Sequence, residues 1–226
     1  MVAVVHQRVF AKDITHHVAG AVQLSRSPSC HWSASARKAA VTRLRNVEAA
    51  AAEIRERGTN ATTLDDVCRR SSTGKGQMFD YIPEGREQLL PAVAELEAER
   101  VFDDQQPYLG ELTSRAAWEA WRDLIVERYR DQGLHCPLGV LIADVGRYSP
   151  AAQAVSAQLV RRWQECVRAG IEATQAAGEA NPALDADRTA AAVIATVQGG
   201  VTVLLSTGSA EHLEAGLNLC LDHLLS

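Results

Sequence analysis

From Arg37 onward apolar residues return every three or four positions. Val41, Leu44, Val47, Ala51 and Ile54 share one face, with Arg43, Arg45, Glu53 and Arg57 on the others. That period predicts an amphipathic helix, ended by Gly58. Thr62 with Asp65 has the spacing of a capping box and predicts a short helix from about Thr63 to Arg70, burying Leu64, Val67 and Cys68. Ser71, Ser72, Thr73 and Gly74 interrupt the pattern. A second short helix follows from about Lys75 to Tyr81, stopped by Pro83 and Gly85, and a longer one from about Arg86 to Asp103.

The second half keeps the helical period. Trp118, Trp121, Ile125 and Tyr129 form one stripe, and Pro137 opens a short apolar helix reaching about Arg147. Ser149-Pro150 starts another, because serine caps and proline tolerates the first turn. That helix carries Val155, Leu159, Trp163, Val167 and Ile171 and stops at Gly178. Asp185 caps a helix with Val193, Val197, Val201 and Leu204, and Ser209 caps a last one with Leu213, Leu217, Cys220, Leu221 and Leu224. No β-hairpin signal interrupts the series. The expected fold is all-α, in three parts: residues 1–36 a disordered extension, 37–84 a helix-turn-helix domain, and 85–226 a helical domain for ligand binding and dimerisation.

A first helix followed by two short ones with a tight break is the anatomy of a helix-turn-helix. The third helix then enters the major groove, where its exposed polar residues read base edges and nearby cations hold phosphates. The residues placed at DNA are Arg37, Lys38, Thr62, Thr63, Thr73, Lys75, Gln77 and Tyr81, with Arg43 and Arg45 where phosphates pass. Met78 and Phe79 are expected to pack the third helix onto the first two.

The run TTLDDVCRRSSTGKGQMFDYIPEGREQLL resembles the DNA-binding segment of TetR-family transcriptional regulators, with Lys75, Gly76, Phe79, Tyr81 and Pro83 at the positions of the family pattern. The connection from Pro83 to Leu89, the run His135-Cys136-Pro137-Leu138-Gly139 and the run Gln198-Gly199-Gly200 are similar to the LmrA/YxaF-like branch. The resemblance spans about residues 37–225. It implies a dimeric repressor that binds a duplex operator and leaves it when a small effector binds. The chain departs from the family in its turn, which carries Ser72 and Thr73 where a glycine and a small apolar residue are usual. A non-glycine residue in the left-handed conformation costs on the order of 1 kcal/mol, and a buried hydroxyl needs a partner. Gly74 stands where serine is usual, and Ile82 replaces an aromatic residue.

Charge sharpens this picture. The net charge of −5 argues against nucleic acid, but residues 1–90 carry 13 Lys and Arg against 9 Asp and Glu, and residues 91–226 carry 10 against 19 with no lysine. The basic excess lies on the half with the helix-turn-helix. Hydrophobic residues at 46% and charged residues at 23% indicate a folded chain. The run Ala190 to Leu205 is short of a membrane span and predicts a buried helix. Five cysteines, at 30, 68, 136, 166 and 220, without a CxxC pair, fit a reducing cytoplasm.

Trp121, Ile125, Tyr129, Leu141, Val145, Trp163, Val167 and Val197 are expected around a mostly apolar effector pocket, with Gln198 and Tyr129 supplying polar groups. Val201 and Leu204, with Leu213, Leu217, Leu221 and Leu224, are expected at a two-fold dimer interface. Gly199 and Gly200 imply close approach of another helix. No cofactor, metal site or catalytic residue is expected. Two other functions compete: an all-helical ligand-binding or scaffold protein with a degenerate helix-turn-helix, and a small enzyme built on His135 and Cys136, for which no paired acid is evident.

Overall fold

The computed structural model describes residues 34–133 and 145–226. Every regular element among them is helical, as the periodicity predicts. In chain order they are α1 (Ala34–Arg57), α2 (Leu64–Ser71), α3 (Lys75–Tyr81), α4 (Arg86–Asp103), a 3₁₀ turn (Tyr108–Gly110), α5 (Arg115–Gln132), a single helical turn (Gly146–Tyr148), α6 (Pro150–Ala176), α7 (Ala186–Thr207) and α8 (Glu211–Leu224). Contacts separate a short unit, Met1–Ala39, from a compact one, Ala40–Ser226. Most of the expected extension 1–36 and most of the expected helix from Pro137 to Arg147 lie outside the described residues. So do Leu141, His135 and Cys136.

Helix boundaries follow local chemistry. Gly58, at φ 80°, ends α1, and Gly178, at φ 76°, follows the end of α6. Ser149 caps α6 by accepting from the Ala152 amide, and Asp185 caps α7 by accepting from the Arg188 amide. Two caps sit one residue later than the spacing suggests. The box at α2 is Thr63 with Asp66: Thr63 Oγ1 accepts from the Asp66 amide at 3.2 Å, and Asp66 Oδ2 accepts from the Thr63 amide at 3.0 Å. Thr62, one residue earlier, instead donates its hydroxyl to the Gly58 carbonyl at 2.9 Å. At α8 the cap position is Ala210, while Ser209 Oγ accepts from the Glu211 amide at 3.3 Å.

The core of the second half is built on tryptophan. Trp118, Trp121 and Trp163 are fully buried, and the first two meet edge to face at 5.9 Å. Trp118 Nε1 donates to Thr174 on α6 at 2.8 Å, and Trp121 Nε1 to Gln105 at 3.1 Å, so these indoles bury their rings and satisfy their N–H groups. α7 lies against α8 through Gly200, where a Cβ would stand 2.6 Å from Leu213 Cα. By length and composition α7 is apolar enough to cross a membrane, but its Val193, Ile194, Val197, Val201 and Leu204 are buried in the helical bundle.

Candidate nucleic-acid interface and effector core

An ion network sets α2 against α1. Arg70 Nη1 lies 3.4 Å from Glu53 Oε1, and Arg57 Nη1 lies 3.3 Å from Asp66 Oδ1. Hydrogen bonds from Thr63, and then from Arg69 and Arg57, hold the Asp66 carboxyl well below the usual carboxylate range. Val67 and Met78 close the core between the short helices. The turn carries the strain anticipated for it: Ser72 is the one described non-glycine residue at positive φ, 54°. Thr73 is buried, and its hydroxyl accepts from Arg45 Nη2 at 3.3 Å, which answers the need of a hydroxyl in that slot.

Two of the residues placed at DNA are therefore turned inward. Thr62 and Thr73 are both 4% exposed and spend their hydroxyls inside the domain. Arg37 and Lys38 are exposed near the start of α1, and Thr63 is exposed at the cap of α2. Lys75 and Gln77 are exposed on α3, and Tyr81 is half-buried. Lys75 Nζ pairs with Asp65 Oδ1 at 2.9 Å, which raises the lysine pKa and keeps it cationic. Phe79 does not pack inward beside Met78. It is 41% exposed on α3, because consecutive helical residues point about 100° apart and Met78 takes the inward direction. Sequence spacing alone carried that signal, and Phe79 joins the exposed face as a candidate for apolar contact with a thymine methyl.

Three contacts tie this unit to the rest of the bundle. Arg86, at the start of α4, donates to the Thr62 carbonyl at 2.8 Å and to the Thr59 carbonyl. Glu97 of α4 is fully buried and accepts from Arg55 of α1 and from Arg100 at 2.7 Å. Tyr148, in the single turn before α6, accepts from Asn60 Nδ2 at 2.9 Å.

The residues expected to line a pocket gather in the core. Trp121, Ile125, Tyr129, Val145, Trp163, Val167 and Val197 are all buried. Of these, Ile125 and Tyr129 border a small cavity of about 10 Å³, room for about one water. Among the described residues, two donors in this region have no partner, Trp163 Nε1 and Gln198 Nε2.

The residues expected at the dimer interface are also interior. Val201, Leu204, Leu213, Leu217, Leu221 and Leu224 are buried within the chain, and none offers area to a partner. A one-chain periodicity marks an apolar face and does not say whether the chain itself covers it. The outer face of α7 carries Ala192, Ala195, Gly199, Thr202 and Ser206, and on α8 Leu219 is 71% exposed.

Residues 113–219, from the start of α5 into α8, match the family described as tetracyclin repressor-like, C-terminal domain. An uncharacterized HTH-type transcriptional regulator of Mycobacterium tuberculosis is 30% identical over 135 residues, 54% of this chain and 66% of that protein. The chain thus spans 66% of the length of the curated relative it matches. A crystal structure of a TetR transcriptional regulator from Chloroflexus aurantiacus superposes with a TM-score of 0.70 at 25% identity, covering 83% of this chain and 96% of that one. A SmeT–triclosan complex gives a TM-score of 0.67 at 15% identity over 82% of this chain and 92% of that one. The tetracyclin repressor-like segment contains every described residue of the expected pocket, apart from which the helix-turn-helix unit lies wholly before it.

Proposed function

We propose that the chain is a ligand-responsive, DNA-binding transcriptional regulator of the TetR type, a repressor released from its operator by a small, mostly apolar effector. The observation that carries this reading is α3. It is a short helix held by Met78 and the α1–α2 ion network, with Lys75, Gln77 and Phe79 exposed together at its surface. Lys75 serves phosphate, Gln77 a base edge, and Phe79 a thymine methyl. The relationship to TetR regulators supports the same role, with a cytoplasmic location and no catalytic function. The similarities noted around Pro83 and Gln198 favour the LmrA/YxaF-like branch.

The operator is a palindromic duplex, read by a two-fold dimer. The dimer forms through the outer faces of α7 and α8, and the small, uncharged Ala192, Ala195, Gly199 and Thr202 of α7 allow close helix approach. The effector enters among Trp121, Tyr129, Trp163 and Val197, and its acceptor groups take the free N–H of Trp163 and of Gln198. Leaving such donors unpaired is costly, so an acceptor there is favoured. Trp121, Tyr129, Trp163 and Val197 are buried, so a ligand among them displaces part of their packing. α4 and Tyr148 carry the displacement to α1 and the α1–α2 loop through Glu97, Arg86 and Asn60. A coupling of about 1–3 kcal/mol then releases DNA roughly 5–150-fold.

The test is retardation of the chain's own promoter fragment over a salt series. Lys75→Ala is expected to weaken binding on all sequences, and Gln77→Ala to change which sequences are preferred by roughly 1–3 kcal/mol. If neither substitution alters binding, α3 is not the recognition helix. Wild-type protein that never retards the fragment would leave the second reading, a helical ligand-binding protein with a degenerate helix-turn-helix.

A further inference from the structure

Away from the tryptophan core, α4 and α6 border an open cleft of about 220 Å³. Its floor is apolar, with Ala98, Phe102 and Leu159, and its rim carries Glu95, Glu99 and Arg162. The Phe102 ring already holds a cation: the Arg162 guanidinium carbon stands 3.9 Å from the ring centroid. Arg162 Nη1 also lies 2.9 Å from Glu99 Oε1, in a pair whose side chains are half exposed, 50% and 52%. An exposed pair of this kind is weak and easily exchanged. Glu95 stands one helical turn before Glu99 on the same rim, and like charges at that spacing repel.

We propose that this cleft binds a small lipophilic cation, a quaternary or protonated aryl-alkyl amine. Its charged head displaces Arg162 from the Phe102 face and sits between Glu95 and Glu99. Its apolar part lies on Ala98 and Leu159. The chemistry selects the class. An anion meets two carboxylates, and a neutral apolar molecule leaves the charged rim without compensation. A cation gains the quadrupole of the Phe102 ring, whose face already holds one guanidinium. The volume lies below the roughly 300–1,000 Å³ of drug-sized sites, so the ligand is small. The cleft is separate from the core in which the effector is placed above, and binding there requires no DNA-binding role of the chain.

Calorimetric titration of the full chain with benzyltrimethylammonium, without DNA, tests the site. Saturable binding is expected at about millimolar concentration or tighter, the range open to a ligand of this size. The double variant Glu95→Gln with Glu99→Gln changes only exposed side chains and is expected to weaken binding at least about tenfold. Arg162→Ala removes the internal competitor and is expected to tighten binding, while Phe102→Leu weakens it. The uncharged carbon isostere, neopentylbenzene, is expected not to compete in ligand-observed NMR. Absence of saturable binding, unchanged affinity in the double glutamine variant, or equal binding of neopentylbenzene would each overturn the proposal.

Discussion

Asn46 is the most exacting single residue in the helix-turn-helix unit. It is 0% exposed, and neither its amide nitrogen nor its carbonyl oxygen has a partner. A buried polar group left unpaired costs about 1–3 kcal/mol, so Asn46→Leu, similar in volume, is expected to stabilise the chain by about that amount in urea unfolding. A stability equal to or below wild type would mean that the amide does useful work there. Asp65 is the second such residue. It holds Lys75 by a hydrogen bond at 2.9 Å, and both side chains are exposed. Phosphate competes for the same ammonium. Asp65→Asn is therefore expected to tighten DNA binding roughly two- to fivefold and to make it more salt-dependent. Unchanged affinity across the salt series would show that Lys75 is not at a phosphate.

At the scale of elements, two adjacent glycines divide their roles. Gly199 and Gly200 read alike in sequence, as a place where another helix comes close. In the structure only Gly200 meets α8, and Gly199 has nothing within 4 Å of a would-be Cβ. Because the Gly200 contact is with the Leu213 backbone, α8 has to shift to admit a methyl group. Gly200→Ala is expected to cost about 1–3 kcal/mol, and Gly199→Ala to be neutral or stabilising by up to about 1 kcal/mol, compared by thermal melting. The reverse order would place α8 on the other side of α7. The capping boxes tell a similar story. Thr62 and Thr63 are equivalent as residue types, yet Thr63 caps α2 while Thr62 bonds to the turn at Gly58.

For the whole molecule, the proposed assembly rests on the outer face of α7. Ala195 is exposed on it, so Ala195→Glu is expected to leave the fold intact and to shift a dimer to monomer in sedimentation, with loss of palindrome binding. Val201→Glu, in contrast, places an unpaired charge inside the chain and is expected to unfold it. A wild-type chain that sediments as a monomer at micromolar concentration, or an Ala195→Glu dimer, would remove this interface. The proposed regulation belongs to the same scale. Glu97, with no exposed surface, joins α1 to α4, and a buried carboxylate does not readily give up its guanidinium partners, so under that proposal a shift of α4 is carried to α1.

What the sequence by itself determined was local. Helical period, caps and breakers act over a few residues, so α3 and α4 begin and end where the pattern placed them, and the unusual turn at Ser72 was visible as a missing glycine. The exposed candidates Lys75 and Gln77 were legible for the same reason. Tertiary structure decided everything that depends on which apolar face meets which. It turned Thr62 and Thr73 inward, left Phe79 outside, buried Trp118, Trp121 and Trp163, and used the leucines of α7 and α8 within one chain. Periodicity identifies a face that avoids water. Only the packed chain shows whether its own helices, a second copy or a ligand covers that face, because the same hydrophobic driving force serves all three.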